Sequence, residues 1–172
     1  WLHRWPFRER ISGSAMSAMV QILSFEVDER RYGLQLAAVE RVVQAVDVTP
    51  LPHAPEVVWG VIDMHGKIVP VLNMRKRFGL PERPISLSDS FIVARTLRRT
   101  VALVVDAVNS VIERATVDVI RPDEILPHLD QIQGVMQIED GMVLIHDLER
   151  FLSLDQEVEL TQAITHQVHR ES

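Results

Sequence analysis

The side chains that usually perform chemistry are present in this sequence but are not grouped. Its seven histidines are scattered, and it contains no cysteine that could act as a nucleophile or a metal ligand. His166 and His169 would share one face of a helix, yet no acidic residue at a fitting spacing completes a metal site. Asp106 lies in an apolar run, where a hydrogen-bonded structural carboxylate is more common than an acid catalyst. Because the sequence also lacks a glycine-rich phosphate loop, it predicts no enzymatic activity, no metal site and no cofactor.

Composition places the chain among globular proteins. It has 172 residues, of which 47% are hydrophobic and 24% are charged, close to the globular average. The longest apolar runs fall well short of the roughly 18–20 residues that cross a bilayer, and no signal-peptide pattern is visible. The net charge of −6 disfavours nucleic-acid binding, which requires a concentrated basic surface. A soluble cytoplasmic protein that binds neither nucleic acid nor the membrane interior is expected.

Short strands would have to position any binding surface. Runs rich in β-branched residues, separated by Gly, Pro and charged turns, predict strands at residues 21–27, 32–36, 57–62, 67–72, 90–94 and 101–106. The last of these is apolar on both faces, which is typical of a central strand. Residues that tolerate tight turns predict turns at 28–31, 65–66 and 140–141. This spacing predicts an all-β fold made of barrels or a sandwich.

One segment of the sequence occurs twice. Residues 60–78 and 134–151 both begin with Gly-Val, continue through a hairpin that closes on glycine and an apolar strand, and end in Arg-Phe. A weaker repeat relates residues 25–39 to residues 91–108, in the same order relative to the first. The simplest interpretation is two similar β units side by side. The structural and hairpin glycines of these units are expected to be Gly33, Gly60, Gly66, Gly134 and Gly141, with Gly66 and Gly141 in equivalent hairpins.

Helices are predicted at few places. Ser153 followed by Gln156 forms a capping-box pattern at the start of a C-terminal helical tail, residues 155–172. The residues at helical spacing that follow the cap are Leu154, Val158, Thr161, Ile164, Thr165 and Val168. Shorter helices are predicted over residues 37–43 and 74–78.

Residues 1–19 differ from the rest of the chain. They hold two of the three tryptophans, and residues 12–15 read as a flexible linker. Trp1, Trp5 and Phe7 alternate onto one face of an extended chain, so this segment is predicted to dock as a Trp-containing peptide in an apolar groove, in the same molecule or a neighbouring one. The alternative interpretation is a segment added to the native chain.

Residues 60–79 carry a motif that is known from one protein family. They read Gly-Val-Ile-Asp-Met-His-Gly-Lys-Ile-Val-Pro-Val-Leu-Asn-Met-Arg-Lys-Arg-Phe-Gly. This string resembles the signature of the CheW-like family, Gly-[apolar]-Asn-Leu-Arg-Gly-x-[apolar]-x-Pro-Val-[apolar]-Asp-Leu-Arg-x-Arg-Phe-Gly. Further matches lie at residues 25–34, 48–55, 103–108 and 120–122. On this resemblance, residues 20–154 form a CheW-like domain.

The resemblance implies both a fold and a function. The fold would be two five-stranded SH3-like barrels with a hydrophobic groove between them, plus short helices. The function would be that of an adaptor in a bacterial chemosensory array, associated with membrane-bound receptors, with one surface for a CheA-type histidine kinase and another for the cytoplasmic hairpin tip of chemoreceptors. The partner-binding residues are expected to be Val39, Arg41, Val42, Val43, Val58, Val61 and His65, because these valines exceed what one small barrel can bury.

Two residues depart from the family pattern. His65 replaces the arginine of Asn-Leu-Arg-Gly, and Arg41 replaces a glutamate that follows the second strand. In the family these two positions often hold an acid–base pair near the receptor-facing surface, and Arg with His cannot form the same salt bridge. An adaptor of a specialised, non-flagellar pathway therefore remains open. A second alternative is a regulatory module that binds a small anion through Arg75, Arg77 and Arg121.

Overall fold

The computed structural model describes residues 18–121 and 132–171, which form two compact units of mainly β structure. The strands in these ranges are β1 (Met19–Val27), β2 (Arg30–Gln35), β3 (Val39–Gln44), β4 (Val58–Met64), β5 (Lys67–Leu72), β6 (Ser90–Arg95), β7 (Thr100–Val105), β8 (Ala107–Ala115), β9 (Ile132–Ile138) and β10 (Gly141–His146). The helices are α1 (Met74–Arg77) and α2 (Leu154–Glu171). Each unit holds one five-stranded sheet, so the expected all-β class with two five-stranded units is confirmed.

Among the described residues, the first unit consists of residues 18–37, 108–121 and 132–147. Its strand order is β8-β1-β2-β10-β9. The β1–β2 hairpin turns at Asp28 and Glu29, both with positive φ, as the turn prediction requires. The buried core cluster of this unit comprises Val20, Ile22, Val119, Met136, Val143 and Ile145.

The second unit consists of Ala38–Ala107 together with the chain from Leu148 onward. Its strand order is β3-β6-β7-β5-β4, which places β7 at the centre of the sheet. Four residues of β7 are fully buried, which confirms the prediction of a central strand apolar on both faces. The buried core cluster of this unit comprises Ala45, Ile62, Val69, Val71, Phe91 and Ala102.

The two sheets share one topology, which confirms the interpretation of the repeats as two similar units. Strands β8, β1, β2, β10 and β9 of one sheet correspond in order to β3, β6, β7, β5 and β4 of the other, and each sheet contains two antiparallel hairpins joined by one parallel pair. An isolated bridge pairs Thr49 with Val61 of β4, and the equivalent bridge pairs Ile120 with Val135 of β9. However, neither unit is one continuous segment, because the chain leaves the first unit after Ala37 and returns to it at Val108.

The hairpins of the two repeats are equivalent, but their glycines are not. In the β4–β5 hairpin, Met64 pairs with Lys67 across a turn formed by His65 and Gly66, both with positive φ. In the β9–β10 hairpin, Ile138 pairs with Gly141, so the turn lies at residues 139–140. Gly141 therefore begins the returning strand, and Asp140 occupies the position that corresponds to Gly66. The two glycines therefore lie in equivalent hairpins, as predicted, but their positions in the two hairpins differ by one residue.

The segment from residue 37 to residue 43 was the clearest error in secondary structure. A 3-10 turn covers only Leu36–Ala38, and the following residues form strand β3 rather than the predicted helix. A β-bulge between Val39 and Arg41 shifts the register against β6. The bulge interrupts the period of two, so the valines at 39, 42 and 43 acquire the spacing of a helical face while remaining in a strand.

The C-terminal helix begins as its capping pattern predicts. The Gln156 amide N–H donates to Ser153 Oγ at 3.1 Å, and Ser153 N–H donates to Gln156 Oε1 at 2.9 Å. Contacts with the β6–β7 hairpin hold the helix on the second unit: Arg99 Nε donates to Glu157 Oε2 at 2.8 Å, and Arg99 Nη2 donates to Thr161 Oγ1 at 2.7 Å. Neither this helix nor any other in the described ranges is long and apolar enough to span a membrane.

Candidate interaction surface

Strand β3 carries the most exposed part of the predicted partner surface. It is an edge strand, since the sheet order pairs it with β6 on one side only. The side chain of Val42 is 42% exposed and Arg41 is exposed, whereas Val39 is half-buried. Val43 packs against the core cluster of the second unit. Arg41 and Val42 are therefore the residues of β3 that a partner would meet first.

Val58 and Val61 do not belong to an exposed surface. They are only 9% and 8% exposed, because β4 turns this part of the strand toward the interior of the second unit. Val61 is further fixed by two backbone hydrogen bonds of 2.8 and 2.9 Å with Thr49. The expectation that these two valines exceed what the barrel can bury is wrong, because the barrel does bury them.

His65 projects from the tip of the β4–β5 hairpin and is exposed. The turn is stabilised by Asp63, whose Oδ1 accepts a hydrogen bond from Gly66 N–H at 2.8 Å. His65 and Arg41 lie on elements at opposite edges of the sheet, and neither side chain makes a hydrogen bond or ion pair with another described residue.

Asp106, which was expected to be a structural carboxylate, belongs to a network of charged side chains in the second unit. Asp106 accepts a hydrogen bond from Arg75 at 2.6 Å and another from Arg83 at 2.9 Å, which confirms that expectation. Arg83 also binds Asp89 through both carboxylate oxygens, at 2.7 and 3.0 Å. The adjacent cavity of about 10 Å³ holds about one water molecule and is too small for an organic ligand.

The electrostatics of this network are set by Asp89, which is almost fully buried. Burial acts to raise the pKa of Asp89, but hydrogen bonds from the Arg83 guanidinium and from the Ser86 N–H outweigh it and hold the pKa below its ordinary value. The hydrogen bond that Arg83 itself makes to Asp89 raises the pKa of the Arg83 guanidinium. No local pattern in the sequence predicts this pair, because the two residues are brought together by the conformation of the loop between α1 and β6.

The arginines of the anion-binding alternative have internal partners. Arg75 binds Asp106 and also donates to the Pro81 carbonyl at 3.1 Å. Arg77 donates to the Arg150 carbonyl at 2.7 Å, and burial lowers the pKa of its guanidinium. A small anion would have to displace these contacts, and Arg121 belongs to the other unit. The geometry therefore disfavours an anion site built on Arg75 and Arg77.

Two further predictions concern docking of the N-terminal segment and metal binding. Trp1, Trp5 and Phe7 lie outside them, so peptide docking by the N-terminal segment stays a prediction. Within the described ranges, no three His, Asp or Glu side chains are close enough together to hold a metal ion.

Known proteins resemble this chain in sequence and in fold. The family model described as "CheW-like domain" matches residues 21–156. The chain is 25% identical to "Chemotaxis protein CheW" of Treponema pallidum, over 84% of this chain and 88% of that protein. It is 28% identical to the protein of the same name in Rhizobium meliloti, over 75% of this chain and 84% of that protein. The crystal structure of the scaffolding protein TtCheW from Thermoanaerobacter tengcongensis matches with a TM-score of 0.73 and 30% identity, over 82% of this chain and 96% of that one.

Proposed function

Because the chain belongs to the CheW-like domain family, we propose that it is a scaffold of a bacterial chemosensory array, which couples the cytoplasmic tips of chemoreceptors to a CheA-type histidine kinase. It acts by protein–protein contacts, without a catalytic step, on the cytoplasmic side of the membrane. The observation that carries the proposal is the agreement between the family match over residues 21–156 and the likeness in fold to a scaffolding protein.

The surface assigned to the receptor tip is the exposed part of β3, with Arg41 and Val42 at its centre and half-buried Val39 and Val43 beside them. An exposed valine on an edge strand offers apolar area to a partner helix, and the neighbouring guanidinium favours a partner that carries an acidic residue close to that apolar contact. His65 contributes a second group that becomes cationic when protonated. With Arg41 and His65 together, the preferred receptor tip would be more acidic than a tip that is recognised through an acid–base pair.

Reconstitution with purified components tests the proposed function. Receptor cytoplasmic fragments from the source cell are arranged on vesicles, and the CheA-type kinase is sedimented with them in the presence and absence of this protein. We expect the kinase to sediment only when the protein is present. Failure of the protein to bind both the receptor and the kinase would refute the adaptor assignment. Binding to receptors of a non-flagellar system alone would assign it to a specialised pathway.

The contribution of β3 is tested by a matched pair of variants. Val42→Asp is expected to weaken receptor binding about tenfold or more, which corresponds to about 1.4 kcal/mol, because it places a carboxylate in an apolar contact. Val111→Asp is the control, since Val111 occupies the corresponding position on β8 of the other unit and is similarly exposed. Equal loss of receptor affinity in both variants would show that β3 has no special role.

Partner choice is tested by restoring the family's residues. The double variant Arg41→Glu with His65→Arg is expected to gain affinity for an ordinary chemoreceptor tip, because it recreates an acid and a base at these positions. Isothermal titration calorimetry measures the affinity of the wild-type protein and of the double variant for two receptor tips, that of the source-cell receptor and that of an ordinary chemoreceptor. Unchanged selectivity would mean that the two departures do not affect recognition.

A further inference from the structure

Helix α2 has two faces that differ in what covers them. On one face Glu157, Leu160 and Ala163 are buried against the second unit. On the other face Leu154 is 66% exposed, Val158 is 55% exposed and Val168 is 47% exposed. The outward face is therefore largely apolar, and the Arg99 guanidinium contacts it at Thr161, one turn from buried Glu157.

Threonines extend this outward face into a continuous stripe. Thr161 Oγ1 donates to the Glu157 carbonyl at 2.9 Å, and Thr165 Oγ1 donates to the Thr161 carbonyl at 2.8 Å. Both hydroxyls are thus bonded within the helix, and Thr161 Oγ1 also accepts from Arg99 Nη2 at 2.7 Å, which reduces their need for water. We define the outward stripe as Leu154, Val158, Thr161, Thr165 and Val168. Its successive spacings of four, three, four and three residues are those of the a and d positions in a coiled coil.

The polar residues beside the outward stripe are divided by charge along the helix. Asp155 and Glu159 lie in its first half, whereas His166 and Arg170 lie in its second half, and all four are exposed. Helical spacing places these four residues on one side of the stripe. A second copy of the helix running in the opposite direction would set the acidic half of one chain beside the basic half of the other, because the same side of the stripe faces itself in an antiparallel pair.

We propose that the outward stripe of α2 pairs with the same stripe of a second copy of this chain, in antiparallel orientation, to form a homodimer. The helix has 18 residues and is therefore about 27 Å long, so the contact is at the small end for stable interfaces and the dimer is expected to be a weak one. The family match ends at residue 156, so nearly all of the stripe lies beyond it. The proposal is independent of the adaptor function.

Sedimentation of the full chain at increasing concentration tests the pairing. We expect the mass to rise from the 19.6 kDa of one chain toward twice that value. Val158→Glu should leave a monomer at every concentration, because it buries a charge at the centre of the contact. Leu97→Glu is the control, since Leu97 is an exposed residue of the same unit outside α2 and its substitution should leave dimerisation unchanged.

Disulfide crosslinking tests the orientation, since the native sequence contains no cysteine. Antiparallel pairing brings residue 154 of one copy near residue 168 of the other, whereas the two copies of residue 154 lie about 21 Å apart. A mixture of Leu154→Cys and Val168→Cys chains should crosslink under mild oxidation, and neither variant should crosslink alone. Crosslinking of Leu154→Cys with itself would overturn the antiparallel arrangement. A wild-type chain that stays monomeric at all concentrations, for instance because its own N-terminal segment covers the stripe, would overturn the proposal.

Discussion

Replacing Gly60 by alanine should destabilise the second unit far more than the same change at Gly66. A Cβ atom at Gly60 would lie 2.2 Å from the Thr49 carbonyl oxygen and 2.8 Å from the Thr49 carbonyl carbon. These atoms belong to the backbone, so a rotamer change cannot relieve the clash. The Thr49 backbone would have to move by about 1 Å to reach an ordinary contact distance of roughly 3.5 Å.

The expected cost follows from what that movement disrupts. Thr49 and Val61 exchange two backbone hydrogen bonds of 2.8 and 2.9 Å, each worth about 1 kcal/mol. Overpacking adds about 1–3 kcal/mol, so Gly60→Ala should lower the free energy of unfolding by about 3–5 kcal/mol. At Gly66 the φ of 86° also disfavours alanine, but a Cβ there meets nothing within 4 Å. Gly66→Ala should therefore cost only about 1–2 kcal/mol of backbone strain.

Thermal unfolding followed by circular dichroism measures the difference. For a chain of this size about 1 kcal/mol corresponds to roughly 2–4 °C, so a difference of about 1–4 kcal/mol between the two variants should appear as about 2–16 °C in Tm. Adding Val48→Ala to Gly60→Ala removes only the side-chain part of the clash, at 2.8 Å, and should recover little stability. Equal Tm values for Gly60→Ala and Gly66→Ala, or full recovery by Val48→Ala, would refute the reasoning from the backbone contact.

Three further predictions concern stability. Arg99→Met leaves the carboxylate of Glu157 buried without its guanidinium partner, so we expect the free energy of unfolding to fall by about 3–5 kcal/mol and the helical circular dichroism signal at 222 nm to decrease. Adding Glu157→Leu should restore most of the lost stability and signal. Because the pKa of Asp89 is held below its ordinary value of 3.8, its stabilising contribution is complete above that pH and is lost as pH falls below it. Asp89→Asn should therefore lower the free energy of unfolding at pH 7 and reduce the fall in that free energy at acid pH, as measured by urea unfolding at a series of pH values. An unchanged fall at acid pH would contradict this. Gly33→Ala clashes with the Ile22 Cγ2 methyl at 2.5 Å, a side-chain atom, so Ile22→Leu should restore part of the lost Tm, and no restoration would indicate a backbone cause.

The sequence predicted regular strands well and irregular ones poorly. Strand β5 was predicted at its observed bounds, because an unbroken run of mainly β-branched and apolar residues lies between a glycine turn and the Asn73 that caps α1. Strand β3 was predicted as a helix, because one bulge changed the spacing of its valines. Strand β8 was missing from the predicted strands, since most of its residues are exposed or half-buried and supply little apolar alternation.

The candidate site was predictable only in part, because sequence does not show which valines the barrel buries. Val42 and Val61 have the same side chain in consecutive strands of one unit, yet Val42 is exposed and Val61 is buried. Both strands lie at edges of the sheet, but Val61 is also bridged to Thr49 through two backbone hydrogen bonds. That bridge is a contact between residues that are distant in the chain, which local patterns do not encode.

The passage of the chain from one unit to the other and back has a consequence for synthesis on the ribosome. All five strands of the second sheet, β3 to β7, are contiguous, so that sheet has every strand it needs once residue 105 has emerged. The β1–β2 hairpin is made earlier but must wait for β8, β9 and β10, which are translated last of all the strands described. A two-stranded hairpin is marginally stable alone and presents unpaired edges. At about 5–20 residues per second, the roughly 110 residues between β2 and the end of β10 keep this hairpin waiting for about 5–20 s, which makes it the segment of the nascent chain most exposed to mispairing with a neighbouring copy.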